Sequence, residues 1–374
     1  MKPSQDPQWT PEQEVLLWAI RVDHASDEHV AGILRTGIDW GYLRENAVRH
    51  GIVPLLYKRM KGEMGSLAPP NELSAIRTLF LENSIRNLQM TRHLISVLDL
   101  LAGSGIEAMP FKGPALAVQA YRDPSMRSYG DLDILIHAED RQRAFQVLMD
   151  HGHILTGPDQ HSLEERLRYF QQKDLRLSYQ NITLEVHWKI IEELYAVPLT
   201  MDQLWDRSLP VCILNRETKT PSPEDMLLVL CFHGFKHGGQ RLTWLADVIH
   251  LISDHPDLIL EDVIVRAETL GLKRIVLICL FLAYMYGGVR FGPEIEKRFI
   301  SDERIQNIAS NIQSDMFRNQ RFGFRPLLYM TARERFKDKC TFLIYYSINQ
   351  LLVFTKWIVR RFKGGGTSPD EEIE

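Results

Sequence analysis

The sequence predicts an α+β protein in which a small mixed-sheet core is flanked by N-terminal and C-terminal helical regions. Three observations lead there. Apolar residues recur at helical spacing through residues 10–104, short strand-like runs alternate with short helices through 105–200, and helical spacing returns after Ser222. The chain therefore divides into a helical region at 1–104, an α/β core at 105–200, a helical domain at 201–363 and an acidic tail, "GGGTSPDEEIE", at 364–374 that is expected to be disordered.

The first helix has a complete start signal. Thr10 stands at the cap, Pro11 at the first helical position, Glu12 in the first turn, and Gln13 closes a capping box. "DWGYLRENAVRHGIVPLLYKRM", 39–60, predicts two short helices broken at Gly51. From Asn71 to Ala102 no proline or glycine intervenes, and Leu81, Ile85, Leu88, Leu94, Leu98 and Leu101 mark the stripe of one long helix. Gly103 and Gly105 end it. "IEAMPF" then reads as a short strand, "GPALAVQAY" as a helix with Pro114 in its first turn, "DLDILI" (131–136) as a strand, and "EDRQRAFQVLMDHG" as a helix closed by Gly152. "DLRLSYQNITLEVHWKI", 174–190, predicts two strands around Gln180-Asn181. Ser222-Pro223-Glu224-Asp225 reads as a second capping box, with helices beyond it.

The 374 residues are 45% hydrophobic and 25% charged, an ordinary globular composition. Lys and Arg total 44 against 48 Asp and Glu, a net charge of -4, so there is no strong nucleic-acid signal in the overall field. Cys212, Cys231, Cys279 and Cys340 show no C-x-x-C spacing, which favours buried reduced thiols in a cytoplasmic protein. The polar, proline-punctuated start is unlike a secretion signal. Thr341–Lys363 is apolar but is interrupted by Asn349, Gln350 and Lys356, so no transmembrane segment is expected. The favoured reading is a packed terminal helix; Lys356, Arg360, Arg361 and Lys363 keep a membrane-surface helix as the second.

The chemistry concentrates in "FKGPALAVQAYRDPSMRSYGDLDILI", 111–136. Asp131 and Asp133 sit two apart on a strand and project to one face, while Leu132, Ile134 and Ile136 enter the core. Two adjacent carboxylates repel each other unless a cation lies between them, and hard oxygen ligands suit magnesium. Surface aspartates on an edge strand are the plain alternative. The Lys112-Gly113 turn opening a helix adds an anion site of backbone N–H groups and one full charge. Arg127, four residues before Asp131, has the planar fork to hold a phosphate, or a salt bridge to Asp131.

With Phe111-Lys112-Gly113, Tyr121, Asp123-Pro124, Arg127, Asp131 and Asp133 in this order, the chain resembles the DNA polymerase β type of nucleotidyltransferase, and more narrowly the bacterial family of uncharacterised nucleotidyltransferases. It departs from the broader pattern at Lys112, which replaces a first glycine, at Pro114, and in the long spacer to Asp131. The resemblance implies transfer of a nucleoside monophosphate from a nucleoside triphosphate to an acceptor hydroxyl, with Mg2+ or Mn2+ as cofactor and pyrophosphate released. The implied acceptor is a small molecule, a peptide or protein, or RNA.

Such a site wants a third carboxylate beside the acceptor. In "ITLEVHWKI", Thr183, Glu185 and His187 share a face, and Glu185 is the candidate, completing a catalytic and metal set of Asp131, Asp133 and Glu185. His187 either touches substrate, orients Glu185 or packs. Lys112, Gly113, Arg127, His187 and Lys236 form the expected nucleotide-binding set. His233 and His237 are one turn apart but lack the glutamate of H-E-x-x-H, so they read as cleft lining or packing, with Lys236, Arg241 and Asp247 nearby. A nucleotide-binding regulator without turnover and a helical interaction scaffold are the alternative functions.

Overall fold

The computed structural model describes residues 9–156, 173–318 and 326–362, with side chains given as far as residue 351 apart from Asn349. The predicted acidic tail lies outside these residues. Helices α1 (Pro11–Ala19), α2 (Asp27–Thr36), α3 (Trp40–Arg49) and α4 (Val53–Arg59) lead into the 34-residue α5 (Pro70–Gly103). The Thr10–Gln13 capping box forms in both directions, and the break between α3 and α4 falls at Gly51.

The core begins with β1 (Ala108–Pro110), α6 (Gly113–Tyr121), β2 (Asp131–Ile136), α7 (Arg141–Asp150) and β3 (Ile154–Leu155). It continues with β4 (Asp174–Tyr179) and β5 (Ile182–His187). Among the described residues these make a five-stranded sheet in the order β1-β2-β5-β4-β3. β2 and β5 are parallel and the other pairs antiparallel, which is the mixed sheet expected. One face, through Leu132, Ile134, Ile136, Leu184 and Val186, packs on the C-terminal half of α5 and on α7. The other face turns toward the helical half, with Met109, Phe111 and Leu135 joining its core.

After α8 (Met201–Asp206) comes a hairpin that the helical reading of this region did not anticipate, β6 (Leu209–Ile213) and β7 (Arg216–Thr220). Its turn is Leu214-Asn215, with Leu214 at φ 54°, a sequence without the Asn-Gly signature of tight hairpins. Then follow α9 (Pro223–Lys236), α10 (Leu242–Asp254), α11 (Leu260–Leu270), α12 (Lys273–Tyr286), α13 (Pro293–Ile300), α14 (Glu303–Asp315), α15 (Pro326–Ala332) and α16 (Phe336–Phe362). Among the described residues no helix is long and apolar enough to cross a membrane.

Three local expectations change. Leu94, Leu98 and Leu101 are buried, but Leu81, Ile85 and Leu88 are exposed; this part of α5 buries Ile76 and Asn87 instead, with Asn87 donating to the carbonyls of Pro124 and Arg127. Ser222 accepts the amide of Asp225, yet the Asp225 carboxylate does not return the bond: Arg207 and Arg266 hold it. Cys231 is buried and Cys279 and Cys340 are partly so, but Cys212 on β6 is exposed; all four are free thiols.

Candidate active site

The two-residue turn Gln180-Asn181, both at positive φ, locks β4 to β5, and the parallel pairing locks β5 to β2. Asp131 then lies opposite Thr183, Asp133 opposite Glu185, and Arg176 of β4 opposite Glu185 from the other side. By strand alternation Asp131, Asp133, Glu185, His187, Asp174 and Arg176 all belong to the face turned toward the helices. Asp133, Glu185 and His187 are buried there.

Ligand atoms of Asp133, Glu185 and His187 lie within 4.8 Å of one another. His187 Nε2 is 3.1 Å from Asp133 Oδ1 and 3.4 Å from Glu185 Oε2, so one imidazole bridges the two carboxylates. Its Nδ1 is 3.3 Å from Asp174 Oδ2 but without hydrogen-bond alignment. Arg176 Nε donates to Glu185 Oε1 at 2.5 Å. The converging set therefore contains His187 where the sequence predicted Asp131; Asp131 shares the face at the strand's open end.

Charge separates the three acids. Burial would raise the pKa of Asp133, but Lys112, the hydrogen bond from His187 and Lys173 hold it well below the usual carboxylate range. Burial likewise opposes ionisation of Glu185, and the His187 bond with the His187 and Arg176 charges brings it down to about 2. Asp131 goes the other way, pushed up by burial and by the charges of Asp133 and Glu185. His187 is raised: burial and Lys173 would lower it, but its bonds to Asp133 and Glu185 and the Asp174 charge prevail.

Lys112 caps α6 and its Nζ stands 3.6 Å from Asp133 Oδ1. Gly113 has φ +50°, and a Cβ there would meet the carbonyl oxygen of Asp131 at 3.3 Å, so the Lys-Gly turn lies directly against the carboxylate strand. Pro114 has no N–H, which limits the backbone donors of this turn. Lys236, at the end of α9, pairs with Glu192 at 2.7 Å and lies over the Tyr195 ring. Its pKa is lowered, by burial first and then by Lys173 and Lys112, against the pull of Glu192. Lys173 pairs with its neighbour Asp174.

Arg127 has a partner other than either predicted one. Its Nε and Nη2 bind Asp247 Oδ1 and Oδ2 at 2.9 and 3.0 Å, and Tyr121 Oη donates to Asp247 Oδ1 at 2.8 Å. Arg127, expected at phosphate, is thereby committed with Tyr121 to holding the segment before β2 against α10. His233 and His237 pack on each other and on Trp244, and neither joins the metal-ligand group found among the described residues. Burial, with Lys112 and Lys236 close by, keeps both neutral.

Lys173, Asp174 and Arg176 were not among the predicted site residues. The two-residue turn is a signal that finds the latter two, since it sets Asp174 opposite His187 and Arg176 opposite Glu185. Glu192 has no such local signal.

Residues 36–287 match the model of a family described as uncharacterised nucleotidyltransferase. No curated protein matches the chain. Among solved structures, the antibiotic-resistance factor ANT(2'')-Ia is similar at a TM-score of 0.35 and 12% identity, covering 49% of this chain and 91% of that one. The lincomycin-bound lincosamide antibiotic adenylyltransferase LnuA gives 0.31 and 20%, covering 44% and 96%. An antigenic nucleotidyltransferase-like protein from Paracoccidioides brasiliensis gives 0.32 and 15%, covering 53% and 93%.

Proposed function

The chain belongs to the uncharacterised nucleotidyltransferase family, and on that premise we propose that it moves a nucleoside monophosphate from a nucleoside triphosphate to an acceptor hydroxyl, releasing pyrophosphate. The observation that carries this reading is the register that sets Asp133 opposite Glu185 on a shared sheet face, with Asp131 beside them and Lys112 behind.

The donor set fits a divalent cation. Asp131, Asp133 and Glu185 offer hard oxygens on one sheet face, and Asp131, whose pKa burial and the charges of Asp133 and Glu185 raise against the pull of Lys112 and Arg127, would be relieved by a cation there. Asp131 and Asp133 would hold the Mg2+ or Mn2+ that accompanies the triphosphate, with Glu185 completing the set on the acceptor side or at a second ion; the cation when bound supplies charge stabilisation at the phosphoryl oxygens. The protein's own groups do the rest. Lys112 and the Gly113 turn bind the phosphates, with Lys236 contributing charge from the helical side. Glu185, ionised and steadied by Arg176 and His187, takes the proton of the acceptor hydroxyl as its oxygen attacks the α-phosphorus in line. His187 keeps Asp133 and Glu185 together, and Arg127 acts by positioning β2 through Asp247.

The test is incubation of the full chain with each nucleoside triphosphate labelled at the α-phosphate, Mg2+ and a panel of hydroxyl-bearing acceptors, read by mass spectrometry. A product heavier by one nucleoside monophosphate, absent with Asp133→Asn, is the expected result. Equal product from that variant would overturn the assignment.

A further inference from the structure

On the sheet face that packs against α5 and α7, away from the carboxylates, two histidines meet. His93 lies on α5 and His153 between α7 and β3, 60 residues apart, and their Nε2 atoms stand 3.2 Å from one another. His153 Nδ1 is 3.0 Å from the Leu148 carbonyl. A carbonyl only accepts, so in the neutral ring Nδ1 carries the proton and Nε2 presents a lone pair. The Tyr179 ring of β4 holds both imidazoles: His93 stacks on it at 4.9 Å and 4°, and His153 lies against it at 5.0 Å and 31°. Strand alternation puts Tyr179 on the face opposite Asp174 and Arg176, so this pair is separate from the candidate active site.

The spacing selects an ion. Two imidazole nitrogens bound to one tetrahedral Zn2+ at about 2.0–2.1 Å lie about 3.3 Å apart, whereas neighbouring ligands at right angles around Cu2+ or Ni2+ lie about 2.9 Å apart. The observed 3.2 Å is nearer the first. Donation from Nδ1 to a backbone carbonyl is the outer contact that orients a histidine to bind metal through Nε2, and Leu148 provides it. Burial, with His153 beside it, brings the His93 pKa down to about 4, and burial lowers that of His153 as well, so both rings are neutral and have a lone pair to give. We propose that His93 and His153 together bind a Zn2+ ion. Water completes four-coordination, because among the described residues no third His, Cys, Asp or Glu joins them. His153 is buried and His93 only partly so, which leaves the ion a way in from solvent. Once bound, it clips the middle of α5 to the end of α7 and, through the shared contact with Tyr179, to β4. A hydrogen bond from His93 to His153 accounts for the same distance without an ion, and metal titration separates the two.

The experiment titrates the full chain, stripped by chelator and kept in excess Mg2+, with Zn2+ and with Co2+, followed by equilibrium dialysis, melting temperature and visible absorption. Stoichiometric Zn2+ binding, a melting temperature about 3 °C higher at saturation and the intense visible bands of tetrahedral Co2+ are expected. His93→Phe and His153→Phe keep a ring against Tyr179 and should each weaken that binding at least about tenfold. His93→Phe, at a partly exposed position, keeps the test readable if loss of the Leu148 bond unfolds the other variant. Asp133→Asn, on the opposite sheet face, should leave this binding in place. No Zn2+ binding by the parent, equal binding by His93→Phe, or binding lost only with Asp133→Asn would overturn the proposal and leave the two imidazoles sharing a hydrogen bond alone.

Discussion

Arg127 and Asp247 form a bidentate pair across 120 residues of sequence, tying the segment before β2 to α10. Asp247 is buried and Arg127 nearly so, so removing the arginine leaves an uncompensated charge in the interior. Arg127→Ala is expected to cost about 3–5 kcal/mol in urea unfolding. Arg127→Lys should recover only part of it, because an ammonium lacks the fork. Parent stability in the Ala variant would return Arg127 to the pool of substrate-binding cations.

Gly113 holds φ +50° against the Asp131 carbonyl. A side chain there pays for the left-handed backbone, about 1–2 kcal/mol, and presses on the strand that carries both aspartates. Gly113→Ala should therefore lower nucleotide transfer more than it lowers the melting temperature. A variant with full transfer would separate the turn from the site.

Much of this site could be read from the sequence because it is local. The D-x-D alternation sets which residues of β2 share a face, and the tight turn at Gln180-Asn181 sets the register of β4 on β5; the parallel pairing that puts Asp133 opposite Glu185 is tertiary. What escaped was long-range. Asp247 as the partner of Arg127, Glu192 as the partner of Lys236, and Arg207 with Arg266 around Asp225 are side-chain pairings between elements far apart in sequence. The β6–β7 hairpin escaped because Leu214-Asn215 carries no turn signature.

His50 is buried, its Nδ1 accepts the Leu242 amide at 3.2 Å, and its pKa is pushed down to about 3 by burial first, then by Arg49 and Arg241. Between that value and about 6.5 the unfolded chain binds a proton at this position and the folded one does not, so stability falls as pH drops. At pH 5.5 the single group accounts for about 1.4 kcal/mol. His50→Asn, which keeps an acceptor, should reduce the difference between unfolding at pH 7.5 and pH 5.5 by about that amount, the rest staying with His93, His233, His237 and His250, whose pKa values are also lowered by burial. An unchanged pH slope would show that His50 contributes nothing to it.

Asp131 is crowded by two like charges. In chelator, Asp131→Asn should melt at a slightly higher temperature than the parent while its transfer activity is lost, since the same charge that destabilises the empty site is needed to hold the cation. Calorimetry and the transfer assay on one preparation check both halves; lower stability with retained transfer would reverse the assignment.

In the proposed reaction Glu185 performs the chemistry on a face that Asp131 and Asp133 load. The most direct test compares Glu185→Gln with the parent for both Mg2+-dependent triphosphate affinity and transfer rate. Transfer should drop by about a hundredfold or more, the scale of losing a general base, while affinity stays close to the parent value. A Glu185→Gln protein that transfers nucleotide at the parent rate would make Glu185 an ordinary strand residue.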